Sequence, residues 1–241
     1  PDWDVYITPQ LNDEEYRRGR AWKDMLNGLN TYEHNELHLA TSVRSFRTPD
    51  LAAFVKAVLD AETDEAKALY QRIKDKYPIV ITRDLNKAKA WVRDHCRGTT
   101  RYGLLASSGA LRLKPEGIFV KNEISVANWF LNGKHDVRSS YMLEDVVSEF
   151  DIQGLELDYS IVAWDADYRY VDGEWTYNNF VGNRWTNISS DERRLYLKNA
   201  YRVLLTRARQ GMAIFVPSGS NEDPTRKHEW YDGIFEYLKL L

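Results

Sequence analysis

Three short segments of the 241-residue sequence combine residue types that could bind or transfer a phosphate group. Residues 39–47 form an apolar run that ends in a loop with two arginines, and residues 148–158 place a glycine turn among acidic side chains. Residues 201–209 are the basic end of a long amphipathic stretch. A phosphoryl group that develops charge during transfer favours guanidinium groups, which bind its oxygens in a bidentate fork. These segments are therefore candidates for a nucleotide site.

Each candidate residue has a plain structural interpretation beside the chemical one. Gly154 would let backbone amides approach a phosphate or ribose closely, but it could equally be a turn glycine. Glu156 could accept hydrogen bonds from ribose hydroxyls, or it could be a surface acid. An arginine at a strand end or late in a helix, such as Arg44 or Arg207, is commonly a solvated or capping charge.

The elements that must position these residues follow from the hydropathy pattern. Short apolar runs alternate with amphipathic stretches, which is typical of a mainly parallel sheet covered by helices. Strands are predicted at residues 5–8, 37–41, 79–82, 102–106, 145–148, 160–164 and 212–216. Helices are predicted at residues 12–27, 49–60, 63–76, 84–96, 190–209 and 227–240. The aromatic residues 165–188 lack a helical period and predict a hairpin insertion. The expected fold is a three-layer α/β domain.

The position of the site follows from a general property of open α/β sheets, in which ligands bind at the carboxyl ends of the strands. The first two segments begin at such ends, and the fold would have to bring the third near them. We therefore expect Arg44, Gly154 and Arg207 to converge on one rim of a single sheet.

Composition excludes several classes of protein. With 43% apolar and 29% charged residues the chain can bury a core, and it has no apolar run of the ~18 residues that a membrane span needs. Cys96 is the single cysteine, which fits a reducing compartment, and we expect a cytoplasmic protein without a membrane association. No phosphate loop is present, because the nearest string, residues 133–135, lacks the earlier glycine and the hydroxyl residue. Without this loop, we expect that the chain does not hydrolyse nucleotides by itself. Because it begins at Pro1 without a methionine, we also expect it to be a fragment.

Metal sites are not expected. The segment His34–His38 has its glutamate at the wrong position for a zinc motif and precedes a predicted strand. Asp165 and Asp167 lack the glycine spacing of a calcium loop. The aromatic run from Trp164 to Trp185 leaves two interpretations open, a stacking platform for single-stranded bases or cross-strand packing within the hairpin.

The three segments also resemble a known family. Ser42-Val43-Arg44-Ser45, Gln153-Gly154-Leu155-Glu156 and Leu205-Thr206-Arg207-Ala208-Arg209 resemble motifs IV, V and VI of superfamily 1 helicases, in that order. The longer string from Ser148 to Asp158 resembles more closely a mainly prokaryotic branch related to the helicase-like region of Schlafen proteins. The resemblance covers most of residues 35–240.

The resemblance implies a C-terminal RecA-like domain at residues 35–241, with an insertion at about 165–188. Residues 1–34 would connect it to a missing N-terminal RecA-like domain that carries the phosphate loop and the Mg²⁺-binding acidic motif. ATP and Mg²⁺ would then bind between the two domains, and the pair would act as a helicase or translocase on DNA or RNA, most simply a single strand.

The roles implied for individual residues follow the motifs. Arg44 would contact the γ-phosphate, and Arg207 would act as an arginine finger. Gln153, Gly154 and Glu156 would contact the nucleotide. Arg47 and Arg209 compete for the arginine roles. The residues expected at nucleic acid are Ser107, Ser108 and Ser148.

Two other functions are open alternatives. The chain could be a helicase-like domain that binds nucleic acid or protein without motor activity. It could also be a metal-dependent nuclease, although Asp158 stands where the carboxylate–lysine pattern of such enzymes needs lysine.

Overall fold

The computed structural model describes residues 3–9, 24, 26–37 and 50–241. They fall into two units, one within residues 1–46 and the other within residues 47–241. The smaller unit contains a parallel pair of strands, β1 (Asp4–Ile7) and β2 (Asn30–Glu33), followed by a 3-10 turn at Asn35–Leu37. The predicted strand at residues 5–8 is confirmed with a shift of one residue. The predicted helix 12–27 and strand 37–41 lie largely outside the described residues.

The larger unit contains a five-stranded sheet in the order β3–β10–β6–β4–β5, in which all neighbouring strands are parallel. Its strands are β3 (Ile79–Thr82), β4 (Tyr102–Ala106), β5 (Val146–Val147), β6 (Leu157–Ala163) and β10 (Ala208–Phe215). Every strand predicted for this unit is present, which confirms the mainly parallel sheet.

Helices occupy both faces of this sheet. Within the described ranges they are α1 (Asp50–Leu59), α2 (Thr63–Ile73), α3 (Leu85–His95), α4 (Val126–Leu131), α5 (Asp191–Leu205) and α6 (His228–Leu240). Short 3-10 segments lie at Leu111–Glu116 and Ser140–Met142. The short α4 and the 3-10 segments were not predicted.

The alternation of strand residues produces two cores. Leu105, Val162 and Ile214 pack in one hydrophobic cluster with α1, α2, α5 and α6. The neighbouring strand residues Leu104 and Ile161 pack in the other cluster, with α3. Successive side chains of a strand point to opposite faces, so a sheet buried on both sides needs apolar residues at nearly every position. The result is the three-layer α/β arrangement of a RecA-like fold.

Helix α5 begins where the sequence predicts and ends earlier. The Ser190 hydroxyl accepts from the backbone N–H of Arg193, with Asp191 and Glu192 in the first turn. The predicted end at residue 209 is wrong because the helix stops at Leu205 and β10 starts at Ala208. Pairing of Ala208 and Gly211 with β6 overrides the local helical propensity of the residues after 205.

The insertion between β6 and α5 is an antiparallel three-stranded sheet, β7 (Tyr168–Val171), β8 (Glu174–Val181) and β9 (Arg184–Asn187). Trp164, Tyr168 and Trp175 stack on one another with ring centroids 4.5–6.1 Å apart, and all three are buried. Their burial confirms the packing interpretation for these residues and removes them as a platform for bases.

Gly233 in α6 provides a test of the packing against β7. A Cβ atom at this position would clash with the backbone carbonyl of Tyr170. Alanine gains about 1 kcal/mol in helix propensity, whereas overpacking costs about 1–3 kcal/mol. We expect Gly233→Ala to lower the free energy of unfolding, measured by urea denaturation.

The matched control is Gly133→Ala, because Gly133 is exposed and its Cβ would meet nothing within 4 Å. It should change the free energy of unfolding by less than about 0.5 kcal/mol. Equal stability of Gly233→Ala and the wild type would contradict the close approach of α6 to β7.

Candidate functional site

The ends of two candidate motifs meet at the amino edge of the sheet. Glu156 directly precedes β6 and Arg207 directly precedes β10, and these two strands are parallel neighbours. The backbone N–H of Leu157 donates to the carbonyl oxygen of Arg207 at 3.0 Å. Two segments about 50 residues apart in sequence are therefore joined by a main-chain hydrogen bond.

The expectation of a site at the carboxyl ends of the strands is wrong for these residues. Consecutive parallel strands require a connection that returns from one edge of the sheet to the other. Residues 148–156 make this crossing from the end of β5 to the start of β6, and α5 with its following turn makes it before β10. Gly154, Glu156 and Arg207 consequently lie at the amino edge, whereas Ser148 lies at the carboxyl edge.

The turn that carries Gly154 is open. Gly154 has φ +88°, a left-handed conformation that disfavours other residues, and a Cβ there would meet nothing within 4 Å. Gln153 and Gly154 are exposed, while Ile152 before them is fully buried and anchors the turn in the core. The surface of this turn is exposed to a ligand, while the backbone N–H groups of Gln153 and Leu155 donate to the carbonyl oxygens of Phe150 and Ile152.

Arg207 is buried, with 8% of its surface exposed. Its Nε donates to the carbonyl oxygen of Val203 at 3.2 Å, in the last turn of α5. The next residue is also held, because the Tyr77 hydroxyl donates to the carbonyl oxygen of Ala208 at 3.1 Å. Arg207 is thus a fixed arginine at the helix end and not a solvated charge.

Of the other arginines considered for the phosphate roles, the structure describes Arg209 but not Arg44 or Arg47. The Nη2 atom of Arg209 donates to Oδ1 of Asp158 at 2.7 Å, which makes Arg209 part of an ion pair within the sheet. Arg44 and Arg47 lie outside the described residues. The expected convergence of Arg44 with Gly154 and Arg207 therefore stays a prediction.

The three serines expected at nucleic acid lie at the carboxyl edge, after β4 and β5. Each donates to a carboxylate: Ser107 to Asp167 at 2.8 Å, Ser108 to Glu149 through N–H and hydroxyl at 2.8 and 2.7 Å, and Ser148 to Asp151 through both groups at 2.9 and 2.6 Å. A phosphate at these donors would have to replace a carboxylate. Their contact with nucleic acid stays a prediction.

The acidic pair Asp165 and Asp167 lies after the end of β6, and the sequence analysis considered it only for calcium. Asp165 and Asp167 are at most 1% exposed. The Tyr201 hydroxyl donates to Asp167, and the Tyr231 hydroxyl donates to Asp165. Their signal in the sequence was the position of two acids directly after the apolar run 161–164.

Burial controls the protonation of this pair. Loss of solvent raises the pKa of Asp167 to about 7, and the negative charge of Asp165 adds to the rise, against the lowering effect of the Tyr201 hydrogen bond. Burial also raises the pKa of Asp165. Among residues 3–9, 24, 26–37 and 50–241, no group of three or more His, Cys, Asp or Glu side chains could hold a metal ion.

The pKa of Asp167 predicts a pH dependence of stability. Between its ordinary value of 3.8 and about 7, the folded chain retains a proton that the unfolded chain has lost, so its contribution to the free energy of unfolding decreases as the pH rises. Asp167→Asn mimics the protonated acid and should remove this decrease, measured by urea denaturation across that pH range.

Asp223→Asn is the control, because hydrogen bonds from Thr225 lower the pKa of Asp223 and place its titration below this range. The same slope of stability against pH in the wild type and in Asp167→Asn would show that Asp167 does not hold the proton.

No described helix is long and apolar enough to span a membrane. No curated protein sequence matches the chain. One matching solved structure is the C-terminal domain of a possible DNA helicase from Lactobacillus plantarum WCFS1. It is 19% identical, with a TM-score of 0.34, and the match covers 79% of this chain and 98% of the other. The fold assignment rests on the sheet of the chain itself.

A family model gives the clearest comparison. The model described as Schlafen group 3, DNA/RNA helicase domain matches residues 9–218, which is well over half of the sequence. This range includes the amino-edge turn, Arg207 and the whole five-stranded sheet. The chain therefore belongs to the Schlafen group 3 DNA/RNA helicase domain family.

Proposed function

We propose that the chain is the C-terminal motor half of an ATP-dependent helicase or translocase of superfamily 1 type. ATP and Mg²⁺ would bind between its amino edge and a separate RecA-like domain that carries the Walker motifs. The observation that carries the proposal is the hydrogen bond between Leu157 and Arg207, because it unites the motif V turn with the motif VI arginine.

The chemistry of the amino edge supports half of a nucleotide site. Gly154 has no side chain that would obstruct an anion at this exposed turn, and Glu156, two residues later, would offer a carboxylate for ribose hydroxyls. Arg207 adds a permanently charged guanidinium, of the kind that stabilises charge on a transferring phosphoryl group. The phosphate loop is lacking in this sequence, so the triphosphate and Mg²⁺ would be held mainly by the other domain.

Arg207 would change partners when the two domains close. Its Nε donates to Val203 at the helix end, and a phosphate oxygen is a stronger, charged acceptor than that carbonyl. Closing and opening around ATP would then step the pair along DNA or RNA, most simply a single strand. The single cysteine, Cys96, is buried and unpaired with another cysteine, which supports a cytoplasmic setting for this activity.

Removal of the guanidinium tests the proposal. In the full-length protein that contains this chain, we expect Arg207→Ala to lower the kcat of nucleic-acid-stimulated ATP hydrolysis by about 10³-fold or more, as for other arginine fingers. Arg207→Lys should restore little of this kcat, because lysine lacks the planar guanidinium that binds two phosphate oxygens at once. A coupled assay of phosphate release measures both.

Arg193→Ala is the matched control, since Arg193 is an exposed arginine in the first turn of the same helix. It should leave kcat unchanged. Normal ATP hydrolysis by Arg207→Ala would refute the supply of an arginine by this chain. Absence of nucleic-acid-stimulated ATP hydrolysis in the wild-type full-length protein, together with nucleic-acid affinity that Arg207→Ala retains, would favour a binding domain without motor activity.

The isolated chain provides a second prediction. Because half of the site would be missing, purified residues 1–241 should bind ATP weakly at most and release no phosphate above a mock preparation. Substantial ATP turnover that co-purifies with the chain and is lost in Arg207→Ala would contradict the shared site.

A further inference from the structure

The pairing of β6 with β10 is irregular directly after Arg207. Ala208 of β10 pairs with Leu157 of β6, and the next pair along the two strands is Gly211 with Tyr159. Two residues of β10, Arg209 and Gln210, therefore oppose the single residue Asp158 of β6, which is a β-bulge at residues 209–210. Bulges of this kind turn the local backbone and re-aim neighbouring side chains.

One carboxylate binds both residues of the bulge. Oδ1 of Asp158 accepts from Nη2 of Arg209 at 2.7 Å and from Nε2 of Gln210 at 2.8 Å. Its other oxygen, Oδ2, accepts from the backbone N–H of Arg101 at 2.8 Å. Asp158 lies on β6 and Arg101 directly precedes β4, so the carboxylate joins the amino ends of three adjacent strands.

The burial of Asp158 indicates that these contacts are required. The residue is 8% exposed, and a carboxylate with so little solvent needs donors that replace its water. The side chains of Arg209 and Gln210 and the backbone N–H of Arg101 supply three such donors. The hydrogen bond from the Arg209 guanidinium is charge-assisted. The Arg209 side chain remains 48% exposed, so the pair stands at the rim of the sheet and not in its core.

We propose that Asp158 is a positioning residue that fixes the bulge and thereby holds Arg207 in register for ATP. This inference rests on the proposed function of Arg207. A shift of one residue in a strand sends its side chains to the opposite face. Without the carboxylate of Asp158, Arg209 and Gln210 lose the hydrogen bonds that hold their side chains. The adjacent backbone hydrogen bond, from Leu157 to Arg207, would then open more readily.

Asp158→Asn tests the proposal, because asparagine has the same size as aspartate but replaces one of the two accepting oxygens with an NH2 group. That group cannot accept a hydrogen bond from the facing donor. In the isolated chain, we expect the Leu157 amide to exchange hydrogen at least about 10-fold faster than in the wild type. In the full-length protein, kcat should fall about 10- to 100-fold with an unchanged KM for ATP, as expected for a displaced catalytic group. The double variant with Arg207→Ala should be no worse than Arg207→Ala alone.

Asp223→Asn is the matched control. Asp223 also bridges an arginine, Arg112, to the N–H and hydroxyl of Thr225, but it lies beyond the carboxyl end of β10. It should leave the exchange of Leu157 and kcat unchanged. If Asp158→Asn fails to fold, Arg209→Gln removes the ion pair from the exposed side and should shift both measurements in the same direction.

The outcomes separate the inference from the function on which it rests. Unchanged exchange of Leu157, or kcat losses that multiply in the double variant, would overturn the positioning role. Full ATP hydrolysis by Arg207→Ala would refute the proposed function, and the exchange of Leu157 would then decide alone whether Asp158 holds the bulge.

Discussion

The parallel pairing of β6 with β10 is the constraint on which the candidate site depends. The ladder ends at the hydrogen bond from Leu157 to Arg207, and this bond places the residues before both strands beside one another. The aromatic insertion and α5 lie between these strands in sequence, yet their length has no influence on that proximity. Any chain that completes this ladder must bring the glycine turn and the arginine to the same edge, because parallel strands begin at a common side of the sheet.

The two edges of the sheet differ in their polar groups, although the amino edge also carries the carboxylates of Glu156 and Asp158. The amino edge offers an open glycine turn and Arg207, which suit an anionic ligand. The carboxyl edge holds Glu149, Asp151 and the buried pair Asp165 and Asp167, and oxygens of Glu149, Asp151 and Asp167 already accept from the serine donors there. Ligands of open α/β sheets commonly bind at the carboxyl ends, but here a phosphate would have to displace a carboxyl group from each of these serine donors. The exposed glycine turn and the guanidinium of Arg207 are the features that support the proposed nucleotide site at the amino edge.

Local patterns predicted much of the fold and little of the geometry around Arg207. Residues 79–82 and 102–106 are apolar runs between breakers, and their strands match the prediction residue for residue. The predicted end of α5 was wrong because residues 208–215 form a strand, and the strands with which they pair lie far away in sequence. The contact of Asp158 with Arg209 could not be predicted from local patterns for the same reason, because it depends on the register of β6 and β10 at the bulge.

The most direct test of the account is a crystal structure of the full-length protein with a non-hydrolysable ATP analogue and Mg²⁺. The account predicts a guanidinium nitrogen of Arg207 within about 3 Å of a γ-phosphate oxygen, with the Leu157–Arg207 backbone bond intact. A nucleotide bound at the carboxyl edge, or Arg207 still on the Val203 carbonyl with the phosphates fully enclosed by other residues, would contradict it.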